Sequence, residues 1–372
     1  MATVGDIITL IEKHIARPHL AEPWDNCGLQ MGDRSWPVRK IVTALDPLWD
    51  VVDYACSIKA DLLVTHHPLI FKPMKSLDFS NPLGRIISQS HTHSLAIYSA
   101  HTNFDSTKGG LNDILARKMG LTGIRVLGRP VDPERLKLVI FAPLDHKENI
   151  LGALSETAAG IIGNYTCCSF LCKGKGRFTS GQGANPFLGI PGELTDVDEV
   201  RIETLVLKRD AQGVIDHVAK VHPYDTMAYD LYPLVSDSCL EGLGRIGRLE
   251  HPLPFKAFVQ QVKDSLGLDT VKVAGNRDMM IGSVALCTGS GSGMIGDFIQ
   301  SHADVYVSGD LHYHDARRVE DAGRTLVDVG HFASEIPMAQ AMKDALTSLC
   351  GQKGFSIAVE ACAMEKDPFI YI

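Results

Sequence analysis

At 372 residues, with 45% hydrophobic and 22% charged side chains, the chain is too long for one compact core and has the balance of a soluble globular enzyme. A net charge of -8 and no Lys/Arg block argue against nucleic-acid contact, and no apolar run nears the ~20 residues of a membrane span. Nine scattered cysteines without a CxxC read as reduced thiols in a cytoplasmic protein, although Cys167, Cys168 and Cys172 cluster.

In chain order, residues 4–16 read as an amphipathic helix rather than a signal peptide. Strand 39–46, helix 48–60, strand 61–65, helix 83–93, strand 95–100 and helix 110–120 follow. Strands alternating with helices of this length predict a parallel sheet with covered faces. The middle, residues 127–247, breaks the rhythm. It carries GKGRFTSGQGANPFLGIPGE, a Gly- and Pro-rich passage with no room for a long element, between strands (LKLVIFAP, EVRIETLVLK) and helices 148–159 and 211–221. This order suits a small ferredoxin-like α+β insert. The rhythm then resumes: strand 281–287, a TGSGSG turn, helix 294–302, strand 304–307, helix 314–322, strand 324–329, a long helix 333–350 and a last strand 355–361.

The outer parts overlay on each other. SIKADLLVTHHPL faces QSHADVYVSGDLH, and AIYSAHTNFD faces TLVDVGHFASE, which predicts two similar α/β half-domains, 1–126 and 248–372, forming one discontinuous core.

The chemistry gathers at strand ends. In LLVTHHPL, Pro68 forces a turn after an apolar strand, so two consecutive imidazoles can share one site. His66, His67, His101, Asp105, His331 and Glu335 all fall just past predicted strands, the edge where open α/β sheets bind ligands. His101 with Asp105, and His331 with Glu335, have the spacing that puts two side chains on one helical face. Imidazole with carboxylate suits zinc, manganese or iron(II). The group is large enough for two ions about 3.5–4 Å apart, an arrangement whose use is hydrolysis. The plainer account of any one of these histidines is a capped or half-buried side chain at a strand end. Asp310, His312 and His314 in SGDLHYHD are candidates for moving protons or supporting ligands, the competing account being polar side chains that simply face water. TGSGSG lacks a P-loop lysine and reads as a plain turn. In EPWDNCGLQMGD, residues Trp24, Asp25 and Asn26 read as a packed turn.

Together, WDNCGLQMG, THHPLIF, AHTNFDSTKGGLND, SGDLHYHDA and DVGHFASE resemble the GTP cyclohydrolase 1 type 2 homologue family, also called NGG-interacting-factor-like proteins. The middle segment resembles the PII/CutA-like insert of its longer members. The resemblance implies two divalent ions per chain on His66, His67, Asp105, His331 and Glu335, with Glu335 bridging, and a homohexamer. His101 corresponds to a histidine beside the site. The function expected is metal-dependent hydrolysis of a small molecule such as a nucleotide, with His101, His312 or His314 moving protons. The alternative is a non-catalytic metal-binding or regulatory scaffold.

Overall fold

A computed structural model describes residues 1–128, 130, 135–163, 165–234 and 241–370. The chain forms two compact units: Met1–Val131 with Cys239–Ile372, and Asp132–Ser238. It is a mixed α/β protein, with three sheets among the described residues.

The strands are β1 (Gly28–Met31), β2 (Lys40–Ala44), β3 (Leu62–Thr65), β4 (Ala96–Ser99), β5 (Thr122–Val126), β6 (Arg135–Pro143), β7 (Ser169–Thr179) and β8 (Leu194–Leu207). They continue with β9 (Tyr229–Pro233), β10 (Arg245–Pro254), β11 (Lys272–Gly275), β12 (Met280–Ser290), β13 (Val305–Gly309), β14 (Thr325–Asp328) and β15 (Ala358–Ala361).

In the first unit, one sheet has the order β1-β4-β3-β2-β15 and the other β11-β14-β13-β12-β10-β5. β4, β3 and β2 run parallel with β1 antiparallel at the edge, and β14, β13 and β12 run parallel with β11 antiparallel at the edge. Every residue of β3 is buried, because helices cover both faces of its sheet. On one face Ile7, Ile8 and Ile11 of the first helix meet Leu62, Val64 and Tyr98, with Met338, Met342 and Leu346 from helix Pro337–Gln352. On the other, Val51, Val52 and Ile86 pack on Val42, Leu63 and Ile97. Each such fully buried aliphatic side chain contributes roughly 1.5–3 kcal/mol. The second sheet is covered likewise, by Leu115, Phe258 and Val262 on one face and Phe298 and Val319 on the other. Both sheets therefore send their parallel strands out of apolar layers, and polar residues collect where those strands end.

The second unit runs β-α-β-β-α-β, with an antiparallel sheet ordered β7-β8-β6-β9. Its core joins Leu138, Ile140, Val200 and Ile202 to Ile150 and Leu154 of one helix and Val214 and Val218 of the other.

Three local expectations change. The passage judged too rich in glycine for a long element supplies half of β7, an eleven-residue strand with Gly174 and Gly176 inside it. Residues 245–247, assigned from sequence to the middle segment, pair with β12 in the second core sheet. The single helix expected over 333–350 is two, His331–Glu335 and Pro337–Gln352, divided at a proline that starts the second. Among the described residues no helix is long and apolar enough to cross a membrane.

Candidate metal centre

β3 ends at Thr65, and the backbone N–H groups of both His66 and His67 donate to the carbonyl of Leu45, at 3.1 and 3.0 Å. The Thr65 hydroxyl donates to the His67 carbonyl at 2.8 Å. Alternation is suspended at this turn, and the two rings stay together with centroids 5.2 Å apart. One strand along, His101 caps the short helix Thr102–Ser106, which carries Asp105 in its first turn. From the other sheet, helix His331–Glu335 begins after Gly330 and presents both of its named residues on one turn.

These six side chains converge. His66 Nε2 lies 3.6 Å from Asp105 Oδ2 and 3.5 Å from Glu335 Oε1. Glu335 Oε2 lies 3.0 Å from His67 Nε2 and 2.9 Å from His331 Nε2, and those two nitrogens are 3.2 Å apart. The ring of His101 stands 5.1 Å from that of His66. Ligand-capable atoms fall within 4.8 Å of one another in three overlapping groups: His66, His67 and His101; His66, Asp105 and Glu335; His67, His331 and Glu335.

Every imidazole is oriented from behind through Nδ1. His66 pairs with the Ala100 carbonyl at 2.9 Å, His67 with Asp46 at 2.8 Å, His101 with Asp25 at 2.8 Å and His331 with Asp310 at 2.7 Å. A histidine held this way at one nitrogen turns the other toward the centre, the usual arrangement of metal-binding imidazoles. Asp310 reaches His331 from a left-handed backbone (φ 51°), a conformation aspartate tolerates better than most residues. Asp105 accepts from the Thr288 hydroxyl at 2.9 Å, and Gly289 N–H donates to Ser334, so the end of β12 joins both carboxylate-bearing turns.

The electrostatics call for positive charge. Burial pulls His67 down, but Asp46 and Glu335 outweigh it and raise its pKa to about 10. Burial likewise opposes the rise of His331 to about 9, which Glu335 and Asp310 impose. Burial lifts the Asp105 carboxyl above its ordinary value, whereas for Glu335 the surrounding imidazoles overcome burial and hold it well below. His66 Nε2 and Glu335 Oε2 are buried without a well-formed hydrogen bond. Buried polar atoms left without a well-formed bond, in a shell of nitrogen and carboxylate oxygen, fit a divalent cation.

His312 and His314 are not drawn in. His312 caps helix Tyr313–Asp321 and bonds Ser292 at 3.0 Å, while the His314 ring lies against Tyr313. Asp46 and Asp25 act on the site without having been singled out for it. Asp25 accepts from Thr102 and Cys27 besides His101; burial alone would raise it, but these bonds keep it ionised. The exposed rings of Trp24 and Phe71 stand 5.9 and 6.5 Å from His101. A cleft of about 540 Å³ opens on His67 and His331, walled by Asp46, Asp310, Asp328, Asp367, Lys272 and the C-terminal Pro368–Ile370.

A family model described as Duf34/NIF3 (NGG1p interacting factor 3) matches residues 2–368. A protein of Halalkalibacterium halodurans named GTP cyclohydrolase 1 type 2 homolog is 38% identical over 366 residues, covering 98% of each chain. The Bacillus subtilis protein of the same name is 37% identical with the same coverage. Among solved structures, a Bacillus cereus protein related to NIF3 is 37% identical and aligns with a TM-score of 0.78 over 100% of this chain and 99% of its own. A Staphylococcus aureus protein, 29% identical, aligns with a TM-score of 0.80 over the same shares.

Proposed function

The chain belongs to the Duf34/NIF3 family, and from that premise we propose a hydrolase that holds two divalent ions per chain, zinc, manganese or iron, and acts on a small molecule. The observation that carries this reading is the division of Glu335: Oε1 faces His66, while Oε2 faces His67 and His331. A carboxylate split in this way between two sets of imidazoles is placed to bridge. In this reading His66 and Asp105 hold one ion, His67 and His331 the other, and Glu335 both. Such a pair, when bound, lowers the pKa of water toward neutrality and clamps an oxyanion. His101, fixed by Asp25, turns its free nitrogen to the same space and either completes the first set or carries a proton. His312 and His314 have no step in the proposal.

The relatives' printed name points to GTP. The cleft beside His67 and His331 is lined by four aspartates, and its lysine, Lys272, bonds Asp328 at 3.1 Å. The charge of the two ions in this reading offsets these carboxylates, so the substrate proposed is a nucleotide or a related small molecule.

The reading extends to architecture. The shared order of three parallel strands and one antiparallel edge supports two duplicated half-domains. The order β7-β8-β6-β9 supports a ferredoxin-like insert. Assembly as a homohexamer belongs to the same proposal, and sedimentation velocity tests it.

Elemental analysis of the purified protein beside Glu335→Gln and His67→Ala is the decisive experiment. About two metals per chain are expected, with clearly fewer in both folded variants, and a loaded enzyme should release product from a panel of bases, nucleosides and nucleotides. Two metals retained in Glu335→Gln would sink the bridging assignment. Stoichiometric metal with no turnover of any compound would leave the scaffold reading in place.

A further inference from the structure

The Gly- and Pro-rich passage of the middle unit supplies no residue to the metal centre. Beyond β7 it forms a loop, closed at its base where Gly192 N–H donates to the Ser180 carbonyl at 2.8 Å. Asn185 N–H donates to Asp225 at 3.2 Å, and the Phe187 ring stands at 90° to His146 with centroids 5.1 Å apart, so the loop is held by the turn before β9 and by the short helix Leu144–His146. Beneath it lies a cleft of about 440 Å³, within the size range of small-molecule sites. Phe141, Phe178, Phe187 and Tyr224 wall it, with Phe178 and Tyr224 edge to face at 6.1 Å.

A carboxylate is built into that aromatic wall. Glu199 pairs on β8 with Gly174 of β7 and leans its carboxylate over Gly176, where a Cβ would come within 2.1 Å of Oε2. Tyr224 donates to Oε1 at 2.8 Å, and burial together with Glu199 pushes the phenol upward, so it stays a donor. Asp225 adds a second carboxylate to the lining, while the guanidinium of Arg177 is committed to Asp196 through bonds of 2.6 and 2.8 Å.

We propose that this cleft is a binding site for an organic cation, an ammonium group on a body of single-ring size, with the charge between Glu199 and the aromatic faces. Ring faces attract cations, and an ionised carboxylate fixes an ammonium by a charge-assisted hydrogen bond. An anion entering the same space would meet Glu199 and Asp225, and among the described lining residues the one guanidinium, Arg177, is already paired with Asp196. No residue of the cleft takes part in the metal site, so the inference stands apart from the hydrolase reading.

The test uses the full chain and three matched probes, phenethylammonium, phenethyl alcohol and phenylacetate, titrated at millimolar concentration by ligand-observed NMR. Phenethylammonium should bind, the alcohol about tenfold more weakly, and phenylacetate not at all. Glu199→Gln should weaken the ammonium about tenfold. Phe187→Ala, at a half-exposed loop ring whose loss leaves the packed core intact, should weaken it severalfold. No binding of phenethylammonium, equal binding of phenylacetate, or unchanged affinity in both variants would overturn the proposal. So would loss of binding in His67→Ala, which would assign the cation to the other site.

Discussion

Glu335 and Glu199 each lie against a glycine at the same distance: a Cβ on Gly289 would stand 2.1 Å from Glu335 Oε1, and one on Gly176 would stand 2.1 Å from Glu199 Oε2. Their surroundings differ in every other respect. Glu335 is 3% exposed and enclosed by imidazoles, whereas Glu199 is half-buried among phenyl rings with one phenol donor. One environment concentrates nitrogen ligands around a fixed charge and suits metal ions; the other offers π faces and suits an organic cation. The contrast also says that a clash has no set cost. What decides is whether the displaced atom has anywhere to go.

Gly289→Ala should therefore have the largest effect of all. Gly289 has φ +62°, so alanine adds backbone strain, and the carboxylate it would displace is locked by three histidines. We expect loss of most bound metal and a stability decrease of roughly 1–3 kcal/mol, read by elemental analysis and denaturant unfolding. Full metal content in this variant would mean that the Glu335 pocket is far more compliant than its burial suggests.

Next comes the support behind the imidazoles. Asp46→Asn leaves the His67 ring a neutral partner at 2.8 Å and should weaken metal binding about 10- to 100-fold, measured by competition with a chelator. Unchanged affinity would make Asp46 a surface residue that happens to touch His67.

The difference in legibility between the two regions follows from the same physics. The spacing of His101 with Asp105, and of His331 with Glu335, is the spacing of one helical turn, and each pair occupies one turn at a strand end. Pro68 after paired histidines announces a turn. Asp46 and Asp25 carry no such pattern: a single aspartate after a strand or in a turn is ordinary, and only the packed sheets bring each to an imidazole. The same holds for Gly289, whose TGSGSG context reads as a βα turn until Glu335 is seen lying against it. In the middle unit, glycine's poor strand propensity concealed β7, because sequence does not show that Gly176 makes room for a side chain on the neighbouring strand.

Protons sharpen the comparison further. In the metal-free chain His67 and His331 have pKa values of about 10 and about 9, raised above the ordinary histidine value. Groups raised on folding add stability that is fully present below the unfolded pKa of about 6.5 and is lost as pH rises through the folded values. Metal-free protein should therefore lose thermal stability progressively between about pH 6.5 and pH 10. Metal-loaded protein should not, because the ions replace those protons; its weakness lies on the acid side, where protons compete for the ligands. Identical alkaline profiles with and without metal would show that His67 and His331 are not where the ions bind.

Gly176→Ala should have the smallest effect, and it probes the contrast most directly. The atom that its Cβ would meet is the end of a flexible, half-buried side chain, so Glu199 can rotate away for well under the cost of the Gly289 change. Thermal stability should stay within about 0.5 kcal/mol of the parent, as for surface changes. Metal content should not move. What should change is the cleft: Tyr224 loses its acceptor and phenethylammonium binding falls severalfold, which the same NMR titration reads. If instead the variant unfolds as readily as Gly289→Ala, Glu199 is held as rigidly as Glu335. The cleft would then owe its carboxylate to packing rather than to a position kept open for a ligand.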